Sequence, residues 1–210
     1  MSGGLLEWGI PFLTMLLAGA AIKLMDDHLD AEYDVCRGEQ TLAIRFGRAV
    51  LPYTMVAGLL AAAADHRLAC ALFFASYAVG MFSRLGERLP TGLPAWAETL
   101  LAVALAALVS GWQWALWALA LMAAIDWTDD LADAAKDALT GQRNLALRVG
   151  VVETTLLALL ALCVAVVLNA KGTAMAFVAF ALLTLASEAT TVRLWDPEEG
   201  REDPGWPGRG

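Results

Sequence analysis

Cysteine is scarce in this 210-residue sequence, and Cys36, Cys70 and Cys163 have neither paired nor ligand-like spacing. That excludes a disulfide framework and a zinc site, and leaves three small apolar side chains. Histidine is scarcer still, and neither His28 nor His66 has partners in sequence that would build a metal or catalytic site. Charge is thin as well: 17% of residues, against 59% hydrophobic and a mean hydropathy of +0.60. Such a balance excludes a disordered or nucleic-acid-binding protein and argues against a soluble globular domain. The length suits one membrane domain. The net charge of −8 is local, because 11 of the 22 acids fall in two windows, six in Asp26–Glu39 and five in Asp126–Asp137.

What the chain has in abundance is apolar runs, at about 5–25, 48–64, 68–83, 94–110, 112–128, 151–168 and 173–192. Each approaches the ~20 residues of a bilayer helix. Between them stand Asp65-His66-Arg67, Leu89-Pro90-Thr91-Gly92, Ser110-Gly111 and Asn169-Ala170-Lys171-Gly172, all plausible breaks. The first run resembles a secretory signal, but Glu7 and the lack of Lys or Arg before it favour a transmembrane helix. Seven helices divide the 14 Lys and Arg 12 to 2, with only Arg67 and Lys171 on the far side. The bias predicts N-terminus out, C-terminus in, and both acidic windows on the cytoplasmic side of an inner membrane. The expected fold is an all-α polytopic bundle over 1–192, with halves near 5–92 and 94–192. The polar, Pro- and Gly-rich tail, 193–210, is expected to be disordered.

The two acidic windows are copies. Residues 20–47 align without gaps on 123–150, and 13 of the 28 positions are identical. Eight identities are neither Ala nor Leu: Ile22/Ile125, Asp26/Asp129, Asp27/Asp130, Asp30/Asp133, Asp34/Asp137, Gly38/Gly141, Arg45/Arg148 and Gly47/Gly150. The shared pattern is DDxxDxxxDxxxGxxxLAxRxG. Four helices per step make the copies parallel, so pseudo-twofold symmetry would bring both windows to one end of the bundle.

Asp26, Asp30 and Asp34 are four apart, as are Asp129, Asp133 and Asp137. On a helix each trio forms a stripe ~12 Å long. Like charges at this spacing destabilise a helix, and an aspartate within a membrane helix costs about 2.5–3.5 kcal/mol on the gentler scale. Multivalent cations remove both penalties, and carboxylate ligands suit a hard ion such as Mg²⁺. Two facing stripes leave room for a diphosphate bridged by two or three ions. One copy alone reads equally well as solvated interfacial acids capping a helix end. Two matched copies favour a site.

These motifs, DDHLDAEYD and DDLADAAKD, resemble the paired aspartate-rich motifs of the UbiA superfamily of intramembrane prenyltransferases, NDxxDxxxD and DxxxDxxxD. Asp27, Asp30 and Asp34 match the first, with Asp26 where the family has Asn. Asp129, Asp133 and Asp137 match the second, and Asp130 completes the second doublet. The resemblance extends over roughly 1–190, although members usually have nine helices and seven are counted here. Tyr77 and Arg84 do not reproduce the mid-chain tyrosine and lysine of some quinone-pathway members. The resemblance implies that Asp27, Asp30, Asp34, Asp129, Asp133 and Asp137 are the catalytic acids. All eight aspartates would hold Mg²⁺ against a prenyl diphosphate, whose tail lies in an apolar cavity.

Arg37, Arg45, Arg143 and Arg148 follow the motifs, and Arg84 and Arg88 lie in a loop on the same face. They can neutralise a departing diphosphate or serve as positive-inside anchors; the repeat preserves Arg45 and Arg148 and favours a site role for that pair. Glu153 reads as structural at a helix start, while Glu98 and Glu188 fit either a cavity or headgroups. Trp112, Trp114 and Trp117 suggest an interfacial belt. Trp127 suggests either cation–π shielding or core packing. The expected activity is Mg²⁺-dependent prenyl transfer to a lipophilic acceptor in the bilayer. A membrane terpene cyclase with the same diphosphate site, and a divalent-cation transporter, are the rivals.

Overall fold

The computed structural model describes residues 2–31, 34–35, 41–82, 85–141 and 144–194. They form α1 (Ser2–Leu29), α2 (Leu42–Phe46), a 3₁₀ turn (Gly47–Ala49), α3 (Val50–Ala64), α4 (His66–Gly80), α5 (Ala95–Ser110), α6 (Trp112–Thr140), α7 (Leu145–Val149) and α8 (Val151–Leu194). No strand occurs among the described residues; a single bridge joins Arg88 and Pro94 in the loop before α5. Arg37, Arg84, Arg143 and the tail beyond 194 lie outside the described residues.

The helices end where side chains or glycines can satisfy the broken backbone. At the α3–α4 turn the Asp65 carboxylate accepts from the Arg67 and Leu68 N–H groups at 3.0 and 3.1 Å, capping α4. Gly111, at φ +91, separates α5 from α6. Within α8, Asn169 leaves helical geometry (φ −158, ψ 79), and its side-chain oxygen accepts from the Gly172 N–H at 2.9 Å. Without this break, the 41-residue, largely apolar stretch Val151–Thr191 would run ~60 Å, twice the hydrocarbon thickness. Among the described residues, the apolar runs of the sequence lie mainly in helices. Three stretches are long and apolar enough to cross a membrane: Glu7–Leu29, Leu42–Ala64 and Val151–Thr191.

Among the described residues, the two copies share several local features. Each stripe is followed by a five-residue helix, Leu42–Phe46 and Leu145–Val149, at the same 103-residue offset as the motifs. Thr41 and Asn144, equivalent positions, cap these helices by accepting from Ile44 N–H and Leu147 N–H. Motif glycines serve the backbone: Gly47, Gly141 and Gly150 all have positive φ, in sparsely populated regions that cost other residues about 1–3 kcal/mol. Helical bonding persists beyond α1, from Asp30 N–H to Asp26 and from Asp34 N–H to Asp30.

Small residues let α1, α4, α6 and α8 approach closely. Ala18, Ala71, Ala75, Ala118 and Ala165 are buried together around Trp117 and Leu121. A methyl group on Gly19 would come within 2.8 Å of Leu183. Large apolar side chains such as Leu108 and Val167 point outward, at 81% and 84% exposure. Such an apolar exterior suits lipid as the surrounding solvent.

Candidate functional site at the acidic end of the bundle

A cavity of about 300 Å³ opens between α1, α4, α6 and the second half of α8. Its lining changes character along each helix. On α1 it runs from Met15 through Gly19 and Ile22 to Lys23 and Asp26. On α6 it runs from Leu121 through Met122 and Ile125 to Asp126 and Asp129, and on α8 from Ala176 to Leu183 and Thr184. Leu72 and Ser76 of α4 complete the wall. One end is thus apolar, while the other carries three carboxylates and one ammonium group.

Asp26 and Asp129 are repeat equivalents, and both sit at the exposed rim of this cavity. Asp126 is half-buried between them and the apolar part. The sequence pattern did not single out Asp126, because its equivalent in the first copy is Lys23. The signal was spacing: Asp126 lies three and four residues before Asp129 and Asp130, on their helical face. In the sequence, Lys23 reads only as one of the 12 basic residues on the side of the acidic windows. Its ammonium lies 3.4 Å from the Asp27 carboxylate, one turn along α1.

None of the remaining motif acids lines the cavity. Asp130 accepts from the Leu145 N–H at 2.9 Å, tying the start of α7 to α6. Two residues beyond the apolar run 112–128, burial raises its carboxyl above the usual range, and the Leu145 N–H opposes that shift. Asp137, buried at the end of α6, accepts from the Asn144 side-chain amide at 2.8 Å. The same amide nitrogen donates to the Asp130 carbonyl at 2.6 Å. Asp130 and Asp137 therefore tie Asn144 and Leu145 to α6. Asp133 pairs with Lys136 at 3.1 Å. In the first copy Asp30 is half-buried and Asp34 buried.

Arg45 and Arg148 lie exposed in the last turns of α2 and α7, and Arg88 lies exposed in the loop before α5; none of the three lines the cavity. Glu98 is buried but directed elsewhere: its carboxylate accepts from the Tyr77 and Thr91 hydroxyls, clamping that loop to α4 and α5. Glu153 and Glu188 are exposed. Trp127 does not line the cavity and packs edge-on against Phe82, 6.0 Å between centroids, beside Val79 and Ala123. Of the expected tryptophan belt, Trp112 and Trp114 are exposed, whereas Trp117 is buried and donates its indole N–H to the Thr173 hydroxyl at 3.0 Å.

Among the described residues, no three His, Cys, Asp or Glu side chains stand close enough to hold a metal ion unaided. Mg²⁺, however, usually keeps waters and shares one or two carboxylates with substrate phosphates. Rim carboxylates open to solvent suit that shared mode. No family model, curated protein or solved structure matches the chain.

Proposed function

We propose that the protein is an intramembrane enzyme acting on an isoprenoid diphosphate, transferring its prenyl group to a lipophilic acceptor. The observation that carries this reading is the cavity itself, apolar at one end and lined by Asp26, Asp126, Asp129 and Lys23 at the other. An amphiphile with a hydrocarbon tail and a polyanionic head matches both ends. In this reading the seven apolar helices cross the bilayer, with the carboxylate rim on the cytoplasmic side.

One or two of Asp26, Asp126 and Asp129, together with waters and the diphosphate oxygens, would hold each Mg²⁺, which would neutralise the diphosphate and improve it as a leaving group. Lys23 would turn from Asp27 to donate to diphosphate oxygens, a charge-assisted contact. The C1–O bond breaks with its electron pair leaving on the diphosphate, while C1 bonds to the acceptor nucleophile, which gives up a proton. Apolar walls at Ile22, Ile125 and Leu183 keep water from the electron-poor carbon. A conducted divalent ion would need ligands along its whole path, and the inner end at Met15, Leu121 and Ala176 offers hydrocarbon instead.

The test uses purified protein in lipid with geranyl, farnesyl and geranylgeranyl diphosphates, with and without Mg²⁺ and lipophilic phenols as acceptors. Mg²⁺-dependent diphosphate release that needs an acceptor and is lost in Asp129→Ala supports transfer. Release without an acceptor, with a cyclised hydrocarbon extracted, replaces transferase by cyclase. Neither release nor Mg²⁺-dependent binding of any diphosphate overturns the reading.

A further inference from the structure

The cavity has a built floor. Its innermost lining residues, Met15, Leu121 and Ala176, belong to the same buried cluster as Trp117. Trp117 lies one turn further into the bundle than Leu121 on α6. It is the largest fully buried side chain among the described residues, at 1% exposure. It is also fixed in place. The indole N–H donates to the Thr173 hydroxyl at 3.0 Å, and that hydroxyl donates to the Asn169 carbonyl at 2.8 Å, at the α8 break. Trp114 stacks edge-on against it, 5.6 Å between centroids. Gly172 completes the seat, since a methyl group there would stand 3.0 Å from the Trp117 ring.

We infer that Trp117 sets the length of the apolar chain the cavity accepts, restricting it to short isoprenoids. The inference rests on the isoprenoid-diphosphate reading. From Leu121 to Asp129 the wall spans eight residues, ~12 Å of helix, and the volume of about 300 Å³ is at the low end for ligand pockets. With the diphosphate at the rim, a longer tail meets Met15, Leu121 and Ala176, which the fixed indole backs. A tail that stops short leaves apolar wall uncovered, so binding peaks where the chain just reaches the floor.

The indole is held by a hydrogen-bond chain ending at a helix break, so it cannot swing aside as an isolated core residue might. Removing the ring frees space behind Leu121, Met15 and Ala176, into which the floor can recede, whereas enlarging Ala176 raises that floor.

Binding of geranyl, farnesyl and geranylgeranyl diphosphates, with Mg²⁺ and lipid, is measured for the wild type, Trp117→Ala, Trp117→Leu and Ala176→Leu. Wild type should bind geranyl diphosphate best. Trp117→Ala, or Trp117→Leu if the alanine variant fails to fold, should improve geranylgeranyl over geranyl binding at least tenfold relative to wild type. Ala176→Leu should weaken farnesyl binding more than geranyl binding. Intact binding with an unchanged order of preference in the Trp117 and Ala176 variants overturns the floor alone. Absence of Mg²⁺-dependent binding of all three by the wild type overturns the diphosphate reading, and the floor with it.

Discussion

Lys23 and Asp126 occupy the same position in the two copies of the repeat, carry opposite charges, and line the same cavity. The acidic end is therefore not a symmetric pair of stripes. The α6 side offers two carboxylates to a cation, and the α1 side offers one carboxylate and an ammonium group that can meet an anion.

This asymmetry predicts different phenotypes for the equivalent positions. Lys23→Met should weaken diphosphate binding about tenfold, or ~1.4 kcal/mol, at every Mg²⁺ concentration. Asp126→Asn should weaken it by a similar factor at low Mg²⁺, with recovery as Mg²⁺ is raised. Titrating the diphosphate at several Mg²⁺ concentrations separates the two, and identical behaviour would contradict the assignment.

Asp137 should matter more for stability than for metal. Asp137→Ala removes the carboxylate that the buried Asn144 amide meets, a loss of about 1–3 kcal/mol. Asp133→Ala removes only a partly exposed pair with Lys136, a loss of about 0–1 kcal/mol. Unfolding of both variants in detergent should show the larger decrease for Asp137→Ala.

Gly141→Ala forces a side chain into a left-handed helix end at φ +72 and should cost about 1–2 kcal/mol. Because Gly141 does not line the cavity, diphosphate affinity of the folded fraction should stay unchanged. A specific loss of affinity at constant stability would give this glycine a direct role in the site.

Trp127→Phe keeps the edge contact with Phe82 and alters nothing that lines the cavity. Diphosphate binding and release should match wild type within twofold. A large fall in turnover without loss of binding would instead support shielding of positive charge by the indole.

The helices and the repeat were legible in the sequence because they depend on local rules. Apolar runs mark helices, Asp65 and Asn169 interrupt them, and a gap-free offset of 103 residues pairs the motif glycines. Asp126 was obscured by its own repeat: comparison of copies rewards identity, and its counterpart is lysine. The work of Asp130 and Asp137 depends on where α7 folds back, which spacing within one helix does not reveal. Trp117 fell among three tryptophans in six residues, and only the contacts of α6 with α8 distinguish the inward ring from the outward ones.

α5 lies outside both aligned segments, 20–47 and 123–150, between the end of α4 and the start of α6. Its presence is a matter of parity. α1 and α6 run the same way past the cavity, each from apolar lining toward aspartate, and that requires an even number of long helices per step. With α1, α3, α4 and α5 the count is four. Duplicating the first three alone would have reversed the second copy and put its carboxylates at the opposite end, where they could not share a ligand. This one helix, carrying no motif, makes two acidic sequences into one chemical environment.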